Sequence, residues 1–94
     1  MIIKLLLRDV IRERRRALGL TEDELAQATG VRSGEFIRMI ERGGRGIHID
    51  QAPVFAQALR LNAWEFCQLA LYDMAPHMYR VFFGEVYPVP PKAR

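Results

Sequence analysis

The feature that most constrains this chain is how often it stops a helix. Gly19, Gly30 and the Gly43-Gly44 pair interrupt the first half before any helix can run beyond a few turns, and each stop is followed by a new start signal. Upstream of Gly19, Leu7, Val10, Ile11 and Leu18 recur near helical spacing while arginines fill the other faces. Thr21-Glu22-Asp23-Glu24 opens the next segment as a capping box, with Thr21 serving the backbone near Glu24 and Glu24 reaching back. Its acids also suit the positive end of a helix dipole. Ser33 is the next N-cap, for a helix whose Phe36, Ile37 and Ile40 share one face.

The second half repeats the pattern. Asp50 is read as capping a fourth helix with Pro53 in its first turn, where a missing N–H costs little, and Val54, Phe55, Ala58 and Leu59 are read as facing the core. Asn62-Ala63-Trp64-Glu65 starts a fifth helix leading into Phe66, Leu69 and Ala70, with Trp64 assigned to the core ahead of the alternative, an interface. Five helices and no alternating strands by Tyr72 predict an all-α fold. Pro76 and Gly84 would bracket a short sixth helix over Pro76–Phe83, against a competing strand over Tyr79–Tyr87. Pro88, Pro90 and Pro91 predict an extended tail.

Ninety-four residues make room for one modest core. Half are hydrophobic and 27% charged, too apolar for a disordered chain. The formal charge of +3 is uneven: Lys4, Arg8, Arg12, Arg14, Arg15 and Arg16 oppose only Asp9 and Glu13 in residues 1–20, so the excess lies at the start. No apolar run approaches the roughly 18 residues of a membrane span, and Met1–Leu7 lacks a cleavage site, so a cytoplasmic protein is expected. One cysteine fits a reducing compartment.

Two short helices, Thr21–Thr29 and Ser33–Arg42, flank Gly30-Val31-Arg32. Small Ala26 lets them approach, Gly30 can take the left-handed turn conformation, and Val31 can be buried beneath it. The start of Ser33–Arg42 would then protrude, as a recognition helix does into a major groove. The run Ile11-Arg12-Glu13-Arg14-Arg15-Arg16-Ala17-Leu18-Gly19-Leu20-Thr21, with Glu24-Leu25-Ala26, Gly30-Val31 and Ile40-Glu41-Arg42-Gly43, resembles the Cro/phage-repressor (XRE) helix-turn-helix family over residues 8–72. The resemblance implies a compact lambda-repressor-like bundle of five helices, with 1–7 as an apolar N-terminal extension and 73–94 as a C-terminal one. It implies a sequence-specific, dimeric DNA-binding regulator of transcription, a small repressor of bacterial or phage type, acting on double-stranded DNA at a palindromic operator. It also implies a structural salt bridge between Arg15 and Glu41.

By the same resemblance the DNA-binding positions are Thr21, Glu22, Arg32, Ser33, Gly34, Glu35, Arg38, Met39, Arg42 and Arg45. Two departures stand out: Glu22 replaces the usual polar, phosphate-contacting residue, and the turn is one residue longer, with Arg32 the insertion. Gly34 offers only backbone, Glu35 can accept from cytosine N4, Arg38 can reach guanine or phosphate, and Met39 offers apolar contact only, so backbone contacts and DNA shape are expected to carry much of the specificity. Arg12, Arg14 and Arg16 either extend the footprint or lie in solvent.

The ends exceed what a five-helix unit buries. Ile2, Ile3, Leu5 and Leu6 precede it, and Met78, Tyr79, Val81, Phe82, Phe83, Val86 and Tyr87 follow it, the latter being read as a homodimer interface. The two ends packing together is the other possibility. Cys67, His48 and His77 lack ligand or catalytic spacing, so no enzyme, metal or cofactor is expected. The alternative function is a protein-interaction module, or an antitoxin, that uses the scaffold to bind a partner protein.

Overall fold

The computed structural model describes residues 5–94. Ile2 and Ile3, named above as part of the apolar start, lie outside the described residues. The described chain is helical: α1 is Leu7–Ala17, α2 Glu22–Thr29, α3 Gly34–Glu41, α4 Ala52–Ala58, α5 Ala63–Met74 and α6 Pro76–Phe83, with a 3-10 turn at Ile49–Gln51. Residues 76–83 are thus helix, and no strand forms among the described residues apart from an isolated antiparallel bridge between Leu61 and Ala93. No described helix is long and apolar enough to cross a membrane. The chain divides into two units, Met1–Ile47 and His48–Arg94. The division falls inside the 8–72 segment, and the C-terminal stretch belongs with the second unit.

In the first unit the stops and starts act locally. Gly19 and Gly30 take left-handed backbone, at φ 71° and 74°. Thr21 Oγ1 accepts from the Glu24 amide at 3.0 Å, and the Thr21 amide donates to Glu24 Oε1 at 2.8 Å, closing the capping box. α3 packs on both α1 and α2. Leu7 and Ile11 of α1, Leu25 and Ala26 of α2, and Ile37 and Ile40 of α3 are buried. A buried Leu or Ile side chain contributes roughly 1.5–3 kcal/mol. Phe36 and Val31 are only half-buried.

The start of α3 corrects one expectation. Ser33 precedes the helix, but its side chain makes no capping bond. Asp23 of α2 serves instead: its Oδ1 accepts from the Gly34 amide at 3.1 Å. A side chain at Gly34 would strike that carboxylate and come within 2.9 Å of the Asp23 nitrogen, so this close approach requires glycine.

The second unit begins with the His48 amide donating to Gln51 Oε1 at 2.9 Å, which places Asp50 inside the 3-10 turn rather than at a helix cap. Along α4 the inward stripe is Ala52, Phe55, Ala56 and Leu59, spaced i, i+3, i+4 and i+7. Val54 falls off that stripe and is exposed, contrary to its expected inward position. Asn62 Oδ1 accepts from the Glu65 amide at 2.9 Å to start α5. Trp64 was expected in the core but is 70% exposed: it sits two residues, about 200° around the helix, from buried Phe66.

α5 packs against α4 and α6. The proline-rich tail is extended, yet it is not loose. The Asn62 amide donates to Lys92 O at 2.7 Å, the Arg94 amide to Arg60 O at 2.9 Å, and the Lys92 amide to Glu65 Oε1 at 2.9 Å. Proline has no N–H to give, so the tail's own donors in these bonds are the non-proline residues Lys92 and Arg94, while Asn62 donates to the tail.

Candidate functional site

Arginines govern the surface around α3. Behind the helix lies Arg15, whose Nε donates to Glu41 Oε2 at 2.7 Å and Nη2 to Glu41 Oε1 at 2.9 Å, a bidentate pair. Nη1 donates to Leu20 O at 2.9 Å. Both residues are buried, at 9% and 5% exposure, and the hydrogen bond to Glu41 raises the Arg15 pKa above its ordinary value. The pair ties the last turn of α1 to the last turn of α3. Thr29, also buried, returns its hydroxyl to Leu25 O at 2.8 Å.

On the outer face, Glu35, Arg38, Met39 and Arg42 recur at helical spacing and are exposed. Arg38 is not unpartnered. Its Nη2 donates to Glu22 Oε1 at 3.1 Å and its Nη1 to Glu35 Oε2 at 3.2 Å, so one cation sits between two carboxylates. The bond to Glu22 raises its pKa further. The Arg42 carbonyl accepts from Arg8 Nη1 at 3.4 Å. Arg32, before α3, and Arg45, after it, both lie over the Phe36 ring, with guanidinium carbons 5.5 Å and 4.4 Å from its centroid.

The structure therefore brings Glu22, Arg38 and Glu35 into one cluster and Arg32, Phe36 and Arg45 into another. Ser33 and Thr21 are exposed beside them, with the Thr21 hydroxyl committed to its helix cap. Gly34 is buried, and its amide is already given to Asp23. Among the upstream arginines, Arg12 pairs with Asp9 at 2.9 Å and Arg16 is exposed. Searches of family models, curated proteins and solved structures return no match.

The second unit has a different surface. Trp64, Cys67, Gln68, Leu71, Phe82 and Phe83 line an open apolar groove of about 440 Å³. Of the seven residues read as an interface, Met78, Val81, Phe82, Val86 and Tyr87 are exposed. Tyr79 is not: at 1% exposure it belongs to the unit's interior. Its hydroxyl accepts from Gln68 Nε2 at 3.0 Å and donates to Val86 O, and its ring meets Tyr72 edge-on at 5.0 Å. Phe83 is half-buried between Tyr79 and Trp64. Sequence reasoning ranked Trp64 in the core ahead of the surface position it takes and missed Phe36 as the platform for two arginines. The Arg32–Phe36 spacing of one helical turn was the available signal for the latter; nothing local marked Arg45.

Burial pushes the Cys67 thiol pKa up, which keeps it protonated and poorly nucleophilic near neutrality. Among the described residues no three His, Cys, Asp or Glu side chains are grouped to hold a metal ion.

Proposed function

We propose that this chain is a sequence-specific DNA-binding regulator of transcription, a small dimeric cytoplasmic repressor whose α2 and α3 form a helix-turn-helix within a lambda-repressor-like bundle. The observation that carries the reading is the Arg15–Glu41 pair. It fixes α3 from behind while the opposite face of that helix is exposed and flanked by Arg32, Arg42 and Arg45. A short helix held rigidly by a buried pair and presented with cations on its free side is suited to enter a major groove and grip phosphates. The left-handed Gly30 between α2 and α3 supports the same geometry.

A second copy of the chain is the proposed occupant of the exposed apolar face at Val81, Phe82 and Tyr87; a palindromic operator, with half-sites about 34 Å apart, is read by two copies. Continuity of this face with the Trp64 groove gives the contact an aromatic centre. A second reading, a protein-interaction module or antitoxin, is favoured by one specific observation. Glu22 and Glu35 flank Arg38 with carboxylates that DNA phosphates would repel.

Fluorescence anisotropy with the DNA upstream of the coding sequence and with a scrambled duplex, each at two salt concentrations, separates the two. Tighter, salt-sensitive binding to the upstream duplex is the expected result. Equal binding to both, or none, would remove the regulator reading and leave the interaction module.

A further inference from the structure

Arg32, Arg38 and Arg45 look alike in sequence and differ in their surroundings. Arg38 spends its N–H groups on Glu22 and Glu35. Arg32 and Arg45 make no ion pair among the described residues, yet neither projects at random: both guanidinium groups are held over the ring of Phe36. Arg32 arrives from the turn before α3 and Arg45 from the glycine-rich segment Gly43–Gly46 after it, so a half-buried ring gathers two cations from separate stretches of chain. The ring's π-electron density attracts each cation, and both guanidinium carbons lie within 5.5 Å of one centroid. It does not neutralise them, and two uncompensated guanidinium groups at one ring repel each other. An anion seated against both relieves that repulsion, and a phosphodiester, with one charge and two free oxygens, matches the planar donors of arginine.

We propose that Arg32 and Arg45, staged by Phe36, form a clamp for a single backbone phosphate of duplex DNA, while Arg38 stays bound to its carboxylates and contacts no phosphate. The proposal rests on the DNA-binding reading above and makes it specific: of Arg32, Arg38 and Arg45, the pair on the ring shares one phosphate and Arg38 does not. Phe36 is a positioning residue in this arrangement, since it orders the two cations before DNA arrives and lowers the cost of fixing them on binding.

The test uses the full chain and a duplex that the chain itself selects from a random pool, titrated by fluorescence anisotropy over a series of salt concentrations. Each phosphate neutralised contributes a slope of about 0.9 to the fall of log K with log salt. Changing Arg32→Gln together with Arg45→Gln is expected to reduce the slope by about that one step, whereas Arg38→Gln leaves it unchanged. Phe36→Leu keeps both charges, so the slope persists while affinity falls by roughly fivefold. Because Phe36 is half-buried, Arg32→Lys with Arg45→Lys is the companion variant. It leaves the ring's packing intact, keeps the charge and loses the planar stacking, with the same expected loss of affinity at constant slope.

An unchanged slope in the double glutamine variant, or an equal loss of slope in Arg38→Gln, overturns the clamp while DNA binding by the parent chain stands. Failure of the parent to select or bind any duplex overturns the DNA-binding reading and the clamp together.

Discussion

The two units meet the same difficulty, holding helices of only seven to twelve residues in place, with different chemistry. Helices this short are marginal alone and depend on tertiary packing. In residues 5–47 the decisive contact is polar: a buried bidentate Arg15–Glu41 pair, supported by the Thr21–Glu24 box and the Asp23 bond to Gly34. In residues 48–94 it is aromatic: Tyr79 meets Tyr72 edge-on and Phe83 at a tilt, and Phe83 meets Trp64 at 5.9 Å. The difference extends to the surfaces. A unit that buries a neutralised ion pair shows cations outward around α3, while one that buries rings leaves further apolar groups outside on α6. Directional contacts fix one helix against another, and the first unit applies them where orientation of an exposed helix matters. Ring packing is less directional, and the second unit applies it beside a broad apolar face.

The contrast is tested most severely at Glu41. Glu41→Ala strands a buried guanidinium with only the Leu20 carbonyl, and a loss of about 3–5 kcal/mol in urea unfolding is expected. Replacing both partners, Arg15→Met with Glu41→Leu, should recover most of that loss, because two apolar side chains leave no charge unpaired. A loss below about 1 kcal/mol in Glu41→Ala would mean that packing, not the pair, positions α3.

A smaller effect is expected in the second unit at Tyr79→Phe. The ring stays, but the hydroxyl that joins Gln68 to the Val86 carbonyl is lost, at a cost of about 1–2 kcal/mol by the same unfolding measurement. If the loss matched that of Glu41→Ala, the polar-versus-aromatic distinction between the units would fail.

What could be read from the sequence was local. Thr21 and Glu24 lie within one helical turn, and Gly30 needs only its own φ, so the cap and the turn follow from neighbours in the chain. The partner of Gly34 was not legible, because Ser33 sits in the usual capping position while the working oxygen comes from Asp23, in the preceding helix. Trp64 and Tyr79 exchange their expected places for a similar reason. Hydrophobicity ranks tryptophan as the better core residue, but the phase of α5 turns Trp64 outward, and Gln68 with Val86 supplies the partners that let a tyrosine hydroxyl be buried. The prolines announced an extended tail; that it returns to pair at Leu61 and Asn62 depends on non-local backbone bonds with no sequence signature. At the candidate site the arginines were legible as charge, and their sorting into carboxylate-bound and ring-bound groups was not.

The capping box gives the next effect in size. Thr21→Ala is expected to cost about 1 kcal/mol. Its partner supplies a pH signature with a definite sign. The Thr21 amide, and then the hydroxyl, hold the Glu24 carboxyl below its ordinary range, so its contribution is present above the unfolded carboxyl value and is lost as pH falls through the lower folded one. The stability advantage of the parent over Glu24→Gln, followed by thermal melts, should therefore hold near neutrality and shrink below about pH 4. An advantage independent of pH would show that the charged carboxylate is not what closes the box.

The smallest change in folding is expected where the surface is most apolar. Val81 and Phe82 are 76% and 67% exposed, so Val81→Ser with Phe82→Ser removes few buried contacts and should alter unfolding free energy by less than about 0.5 kcal/mol each. Self-association is where the substitution should register. If this face receives a second copy, sedimentation velocity will show the parent shifting toward dimer as concentration rises while the variant remains monomeric. A destabilisation of several kcal/mol would instead assign both residues to the unit's interior and erase the contrast in surfaces. A parent that stays monomeric at high concentration would leave the contrast standing but remove the second copy as the occupant of α6. The two measurements thus separate what the exposed rings do for folding from what they do for assembly, a distinction that ring packing inside the same unit would otherwise obscure.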